Sequence, residues 1–170
     1  MRSSVLLWCG VLALALTGCA GYKLGPTGDV KAGARSIQVN FFENKTHEPR
    51  LVESVNQSLR RVLQQDGTYH LDTKGEGDFV MTGSITRFDR SPITFQPGDI
   101  LTVRDYTLSM NAKVLVTERS TGRVVFDREV GGLTTIRVGN DLSSAERQAV
   151  PLIAQDLATR ISSLLVNGAW

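Results

Sequence analysis

The sequence predicts an α+β fold, a two-layer sandwich in which a mixed four-stranded sheet has two helices packed on one face, in the order β-α-β-β-β-α. Three observations lead there. Residues 36–42, 78–88 and 106–117 alternate apolar and polar side chains with the period of a half-buried strand. Residues 49–65 and the last stretch from 144 repeat apolar side chains at helical spacing. A helix separates the first strand from the second, whereas the last three strands follow one another directly, so a crossover unit is joined to a meander. Each helix then offers one apolar stripe and the sheet one apolar face, and two layers bury them all.

In chain order, strand one spans 36–42, with Ile37, Val39 and Phe41 on one face and Gln38 and Asn40 on the other. Thr46, Glu48 and Pro49 are start signals for a helix, because proline in a first turn lacks only an N–H that would go unused. Helix one runs over about 49–65, with Leu51, Val55, Leu59, Val62 and Leu63 as its apolar stripe and Gly67 as its stop. A short strand fits 69–71, followed by a polar turn over 72–77. Strand two, 78–88, sets Phe79, Met81, Gly83 and Ile85 against Thr82, Ser84 and Thr86. Residues 89–100 contain Pro92, Pro97 and Gly98 and read as a long loop. Strand three is the clearest element: Tyr106, Leu108, Met110, Ala112, Val114 and Val116 face Thr107, Ser109, Asn111, Lys113 and Thr117. Residues 119–123 form a hairpin loop with Gly122 at the turn, and Val124, Phe126 and Val130 begin strand four. Gly131-Gly132 marks a bulge or bend before 133–138. Ser143-Ser-Ala-Glu146 fits a capping box. The final helix has Ala149, Ile153, Leu157, Ile161, Leu164 and Leu165 as its stripe, and Pro151 inside it requires either a later start of the regular helix or a kink.

Ahead of this domain stands an address. Val5 to Leu16 is an uncharged run of twelve residues behind Arg2, too short to span a bilayer that needs roughly 20 apolar residues, and it reads as the core of a signal peptide. Leu16-Thr17-Gly18-Cys19 resembles the bacterial lipobox, so residues 1–18 are a signal peptide and the mature chain starts at an acylated Cys19. Ala20 after the cysteine resembles an outer-membrane sorting signal. Residues 19–34 form a glycine-rich tether, and 35–170 form one domain in a mature chain of about 150 residues, long enough for a substantial core.

The composition excludes several classes. Of 19 basic residues Arg2 leaves with the signal, against 17 acidic ones, so a nucleic-acid interface is not expected. Cys9 leaves too, and Cys19 alone allows no internal disulfide. Gly28 to Gly33 has Walker A spacing, but Ala34 and Arg35 stand where the phosphate-binding Lys and the metal-binding hydroxyl belong. His47 and His70 lack metal-ligand spacing, and no nucleophile is paired with a base. No enzyme activity, metal or cofactor is expected. The unusual feature is the second sheet face, where Thr82, Ser84, Thr86, Thr107, Ser109 and Asn111 present neutral hydrogen-bonding groups. Two readings fit it: a surface for close docking against a polar wall, and an ordinary exposed face built from good strand formers.

Cys19-Ala-Gly-Tyr22-Lys-Leu24, Ile37 through Thr46 with its Phe-Glu-Asn-Lys-Thr run, Pro49, Gly83-Ser-Ile85, 106–116 and Thr121-Gly122-Arg123-Val-Val-Phe126 together resemble the LptE family of lipopolysaccharide-assembly lipoproteins. The resemblance implies a non-enzymatic outer-membrane lipoprotein that plugs the LptD β-barrel, supports its assembly and binds lipopolysaccharide in transit. Arginine is the better partner for lipopolysaccharide phosphates. Arg87, Arg90 and Arg104 beside the 89–100 loop, with Lys113 and Arg137 as further contributors, are the candidates, although solvated loop charges would look the same. A lipid-anchored periplasmic adaptor of another envelope or secretion complex is the alternative function.

Overall fold

The computed structural model describes residues 34–139 and 141–167, and of Ile100 the backbone only. The signal segment, Cys19 and the tether lie outside the described residues. The elements are β1 (Arg35–Val39), β2 (Glu43–Asn44), α1 (Leu51–Asp66), β3 (Tyr69–Asp72), β4 (Phe79–Gln96), β5 (Asp99–Glu118), β6 (Val124–Arg137) and α2 (Leu142–Asn167). The fold is α+β with a mixed sheet and two helices, but the sheet has six strands rather than four. Its order is β3-β1-β4-β5-β6, with β2 added beside β4. Of the two extra strands, β3 is the short strand expected at 69–71, here paired into the sheet, and β2, with two residues, is too short to leave a periodic signal. β1 is parallel to both β3 and β4, as the α1 crossover demands, and β4-β5-β6 form the antiparallel meander.

Alternation and helical spacing meet in one core. Ile37, Met81, Ile85, Leu108, Met110, Val114 and Val116 from the sheet are buried together with Leu51, Val55, Leu59, Ile153, Leu157 and Ile161 from the helices. Gly67 ends α1 in the left-handed conformation at φ 71°, its N–H donating to the Leu63 carbonyl. Gly122 turns the β5–β6 hairpin at φ 70°.

Strand one departs from its expected span. β1 ends at Val39, so Phe41 is 73% exposed and Phe42, only 3% exposed, takes the core position. The Phe42 ring lies over Gly83, where an added Cβ would sit 2.5 Å from it, which is why β4 carries a glycine there. Asn44 then shapes the following loop: its amide donates to the Glu48 carbonyl at 2.7 Å, and its oxygen accepts from the Thr46 N–H and hydroxyl.

The expected loop over 89–100 is instead the continuation of β4 and β5, turning only at Pro97-Gly98 with Gly98 at φ 82°. Pro92 is tolerated because, past Ile85, β4 pairs only with β5 among the described residues, so one side of its backbone needs no ladder donor. A bulge between Ile85 and Arg87 also resets the alternation. Ile85 and Phe88 face the helices, three apart, while Thr86 and Arg87 are both exposed.

The α2 cap differs from the expected box. Asp141, not Ser143, caps the helix, accepting the N–H groups of Ser143 at 3.0 Å and Ser144 at 2.9 Å. Glu146 turns away from that role and meets Arg90 Nε at 2.6 Å. The helix runs unbroken through exposed Pro151. Gly131-Gly132 is neither bulge nor bend, since the β5–β6 register passes through both without a shift. Gly132 is where α2 lies on the strand: an added Cβ would be 2.9 Å from the Ile153 carbonyl oxygen and from the Leu157 backbone nitrogen.

The turn after β3 closes around one carboxylate. Asp72 accepts the N–H groups of Lys74, Gly75, Glu76 and Gly77 at 3.2, 2.8, 2.7 and 2.9 Å. Desolvation pushes this carboxyl upward, but the four N–H groups together outweigh it and hold it below the ordinary 3.8. A folded-state value below the unfolded one stabilises the fold above pH 3.8 and is lost as pH falls through the folded value. Asp78, held low by the Ser36 N–H and hydroxyl, and Asp141, by the Ser144 hydroxyl and the Ser143 N–H, act in the same direction. Urea midpoints should therefore drop between about pH 5 and pH 2. Asp72→Asn should lower the pH 5 value and flatten that drop; an unchanged slope would remove Asp72 from the effect.

Candidate docking face and ligand-contact hairpin

The helices cover one side of the sheet and leave the other open. Across β4-β5-β6 the open face is built of rows: Ser84, Lys113, Glu129; Arg87, Asn111, Gly131; Asp89, Ser109, Leu133; Ser91, Thr107, Thr135. Thr82, Ser84, Thr107, Ser109 and Asn111 share this face by register. Thr86 joins them at the bulge, its hydroxyl 3.2 Å from Glu129 Oε1 and 3.3 Å from the Asn111 carbonyl. β6 brings carboxylates that β4 and β5 alone do not reveal: Asp127 Oδ1 is 3.6 Å from Lys113 Nζ, and Glu129 Oε1 accepts from the Thr86 hydroxyl and the Asn111 amide. The surface thus carries hydroxyls, amides and internally paired charges.

The basic residues do not gather as one cluster. Arg87 is on the open face, 3.7 Å from Asp89. Arg90 pairs in register with buried Leu108 and so points to the helix side, where it holds Glu146. Arg104 sits at a register jump and approaches Asp105 to 4.0 Å. Arg137 reaches the same carboxylate from β6 at 2.9 Å. The Thr94 hydroxyl is the largest of the interactions that hold the Asp105 carboxyl below its usual range, with the Arg137 hydrogen bond next. Lys113 stands near mid-strand, apart from the arginines.

Sequence reasoning missed the far half of the β4–β5 hairpin. Past the Asp105–Arg137 pairing only the Val138 N–H accompanies it among the described residues, donating to the Arg104 carbonyl at 2.8 Å, so beyond Arg104 it projects as a two-stranded ribbon. Ile93, Phe95 and Leu101 on it are 48%, 47% and 89% exposed. The signal was present, since Pro97-Gly98 flanked by Ile93, Phe95, Leu101 and Val103 is a turn between alternating apolar residues. The two prolines obscured it.

The family model LptE, described as lipopolysaccharide-assembly, matches residues 34–165. The chain belongs to the LptE family. The match spans nearly all the described domain, both helices and all six strands included. Solved structures share the fold. A Xanthomonas campestris protein superposes with TM-score 0.59 at 11% identity, over 85% of this chain and 91% of its own. A Chlamydia trachomatis protein gives 0.55 at 12%, over 78% and 96%. A minor lipoprotein from Acinetobacter baumannii gives 0.52 at 11%, over 78% and 92%. At these identities they establish architecture alone. No curated protein sequence matches. Within the LptE family frame, the Phe-Glu-Asn-Lys-Thr run has a structural role in this chain: it seats Phe42 on Gly83 and lets Asn44 close the loop into α1.

Proposed function

We propose that the protein is an outer-membrane lipoprotein, acylated at Cys19, that plugs the LptD β-barrel, supports its assembly and contacts lipopolysaccharide in transit. The observation that carries this reading is the LptE match over residues 34–165. The open face supports it physically. Large barrels have a polar interior, and a surface of hydroxyls and amides whose charges are paired or hydrogen-bonded within the face can lie against such a wall at little desolvation cost.

The hairpin supports the proposed ligand contact. Lipopolysaccharide combines phosphates with acyl chains, and here Arg87, Arg104 and Arg137 stand below a ribbon bearing Ile93, Phe95 and Leu101. Lys113 sits further down the same open face. Arg90 leaves this group because it ties the hairpin to α2. The double variant Arg87→Ala, Arg137→Ala should weaken lipopolysaccharide binding about tenfold while the unfolding midpoint stays unchanged. Arg90→Ala should instead cost about 1 kcal/mol of stability by stranding half-buried Glu146, with little effect on binding. The reverse pattern would assign the ligand to the helix side. Depletion in cells should reduce surface lipopolysaccharide together with correctly assembled barrel; normal barrel assembly would favour an adaptor of another envelope complex.

A further inference from the structure

Away from the open face and the hairpin, a groove runs along α1 and past the carboxyl ends of β1 and β3. It consists of two cavities of about 700 and 490 Å³ that share Phe41 and Arg60. Open sheets with parallel strands commonly bind ligands beyond those carboxyl ends. Three features converge there. Phe41 is 73% exposed, while its neighbour Phe42 fills the core position that strand alternation gave to Phe41. The Arg60 guanidinium lies 5.2 Å from the centre of the Phe41 ring and is steadied by the Val39 carbonyl at 3.4 Å, so the aromatic and the cation are presented as a unit. Arg60, Arg61 and Lys74 line the groove, and among the described residues none of them is in an ion pair, whereas the open-face Arg87, Lys113 and Arg137 all are. Of the two acidic residues in the lining, Asp72 already spends its carboxylate on four backbone N–H groups. Glu53 remains against three cations.

We infer that this groove is a docking site for an extended acidic segment of the barrel partner, with a carboxylate held by Arg60, Arg61 or Lys74 and an apolar side chain against Phe41. The inference rests on the plug reading above. Polypeptide is favoured over a phosphate because the cations are strung along the groove rather than focused on one point. The exposed amides of Gln57 and Gln64 between them offer both donors and acceptors, as peptide groups require. An aromatic with arginine beside it is the composition of an interface anchor.

The test uses the full acylated chain co-expressed with the barrel protein, carrying a photoreactive residue at Gln57 or, separately, at Ser109 on the open face. The Gln57 probe should yield an adduct with the barrel protein that maps to a segment containing Asp or Glu. Phe41→Ala combined with Arg60→Ala should reduce that adduct about tenfold and leave the Ser109 adduct intact. A Ser109 adduct without a Gln57 adduct overturns the groove alone, as does a Gln57 adduct with lipopolysaccharide or with a segment lacking carboxylates. Absence of both adducts overturns the groove and the plug reading together.

Discussion

Gly132→Val will loosen α2 from the sheet and destabilise the domain by about 3 kcal/mol, toward the upper end of what overpacking costs. The reason is that two of the atoms met by a side chain at position 132 are backbone. An added Cβ falls 2.9 Å from the Ile153 carbonyl oxygen and from the Leu157 backbone nitrogen, and neither can rotate out of the way. The helix itself must lift, and with it Ile153, Leu157 and Ile161, all fully buried. Close-packed interiors do not spread such strain cheaply. Gly131→Ala is the internal control: its added Cβ meets the Asn111 side-chain oxygen at 3.2 Å, which can yield, so the cost should be well under half as large. Urea unfolding of a soluble Cys19→Ala form would measure both. Equal effects would mean that the helix does not rest on Gly132.

Cys19→Ala should lower the amount of assembled barrel complex by about a hundredfold at matched expression while leaving the unfolding midpoint of the domain unchanged. On the proposed reading, acylation would confine the chain to the membrane plane, and a flexible tether of the fifteen residues 20–34 would keep the start of the domain within about 21 Å of the anchor on average. Partner encounter then takes place at an effective concentration set by that radius rather than by dilution into the periplasm. The measurement is the fraction of barrel protein recovered with the variant, alongside a stability curve of the same preparation. A complex formed as well without the lipid would make the cysteine an address and nothing more.

The sequence revealed the strands and helices that bury an apolar face over several periods. β5 and α1 were largely legible, because Leu108, Met110, Ala112, Val114 and Val116 of β5 are all in the core, with Leu115 alone among the apolar residues of that stretch on the other face. Errors arose where one contact overrides a pattern. Phe41 fitted the alternation of β1, but the strand ends at Val39 and Gly83 provides a seat for Phe42. Gly131-Gly132 looked like a break, yet Gly132 exists for Ile153 and Leu157 of α2, more than twenty residues further along the chain. Pro92 looked like a strand stop, and a strand with only one ladder partner has room for it. The candidate face was recognisable from β4 and β5, whereas its matching carboxylates on β6 and the split of the arginines between two sides follow from register and from the bulge at Thr86, which local spacing does not encode.

The central claim is that this domain occupies a barrel. The most direct measurement is a pull-down through a C-terminal tag on the acylated protein from detergent-solubilised outer membranes, with the stoichiometry of what is recovered. One large β-barrel protein, LptD by family, is expected in a stable one-to-one complex. Recovery of the lipoprotein as a monomer, with no barrel partner surviving extraction, would contradict it.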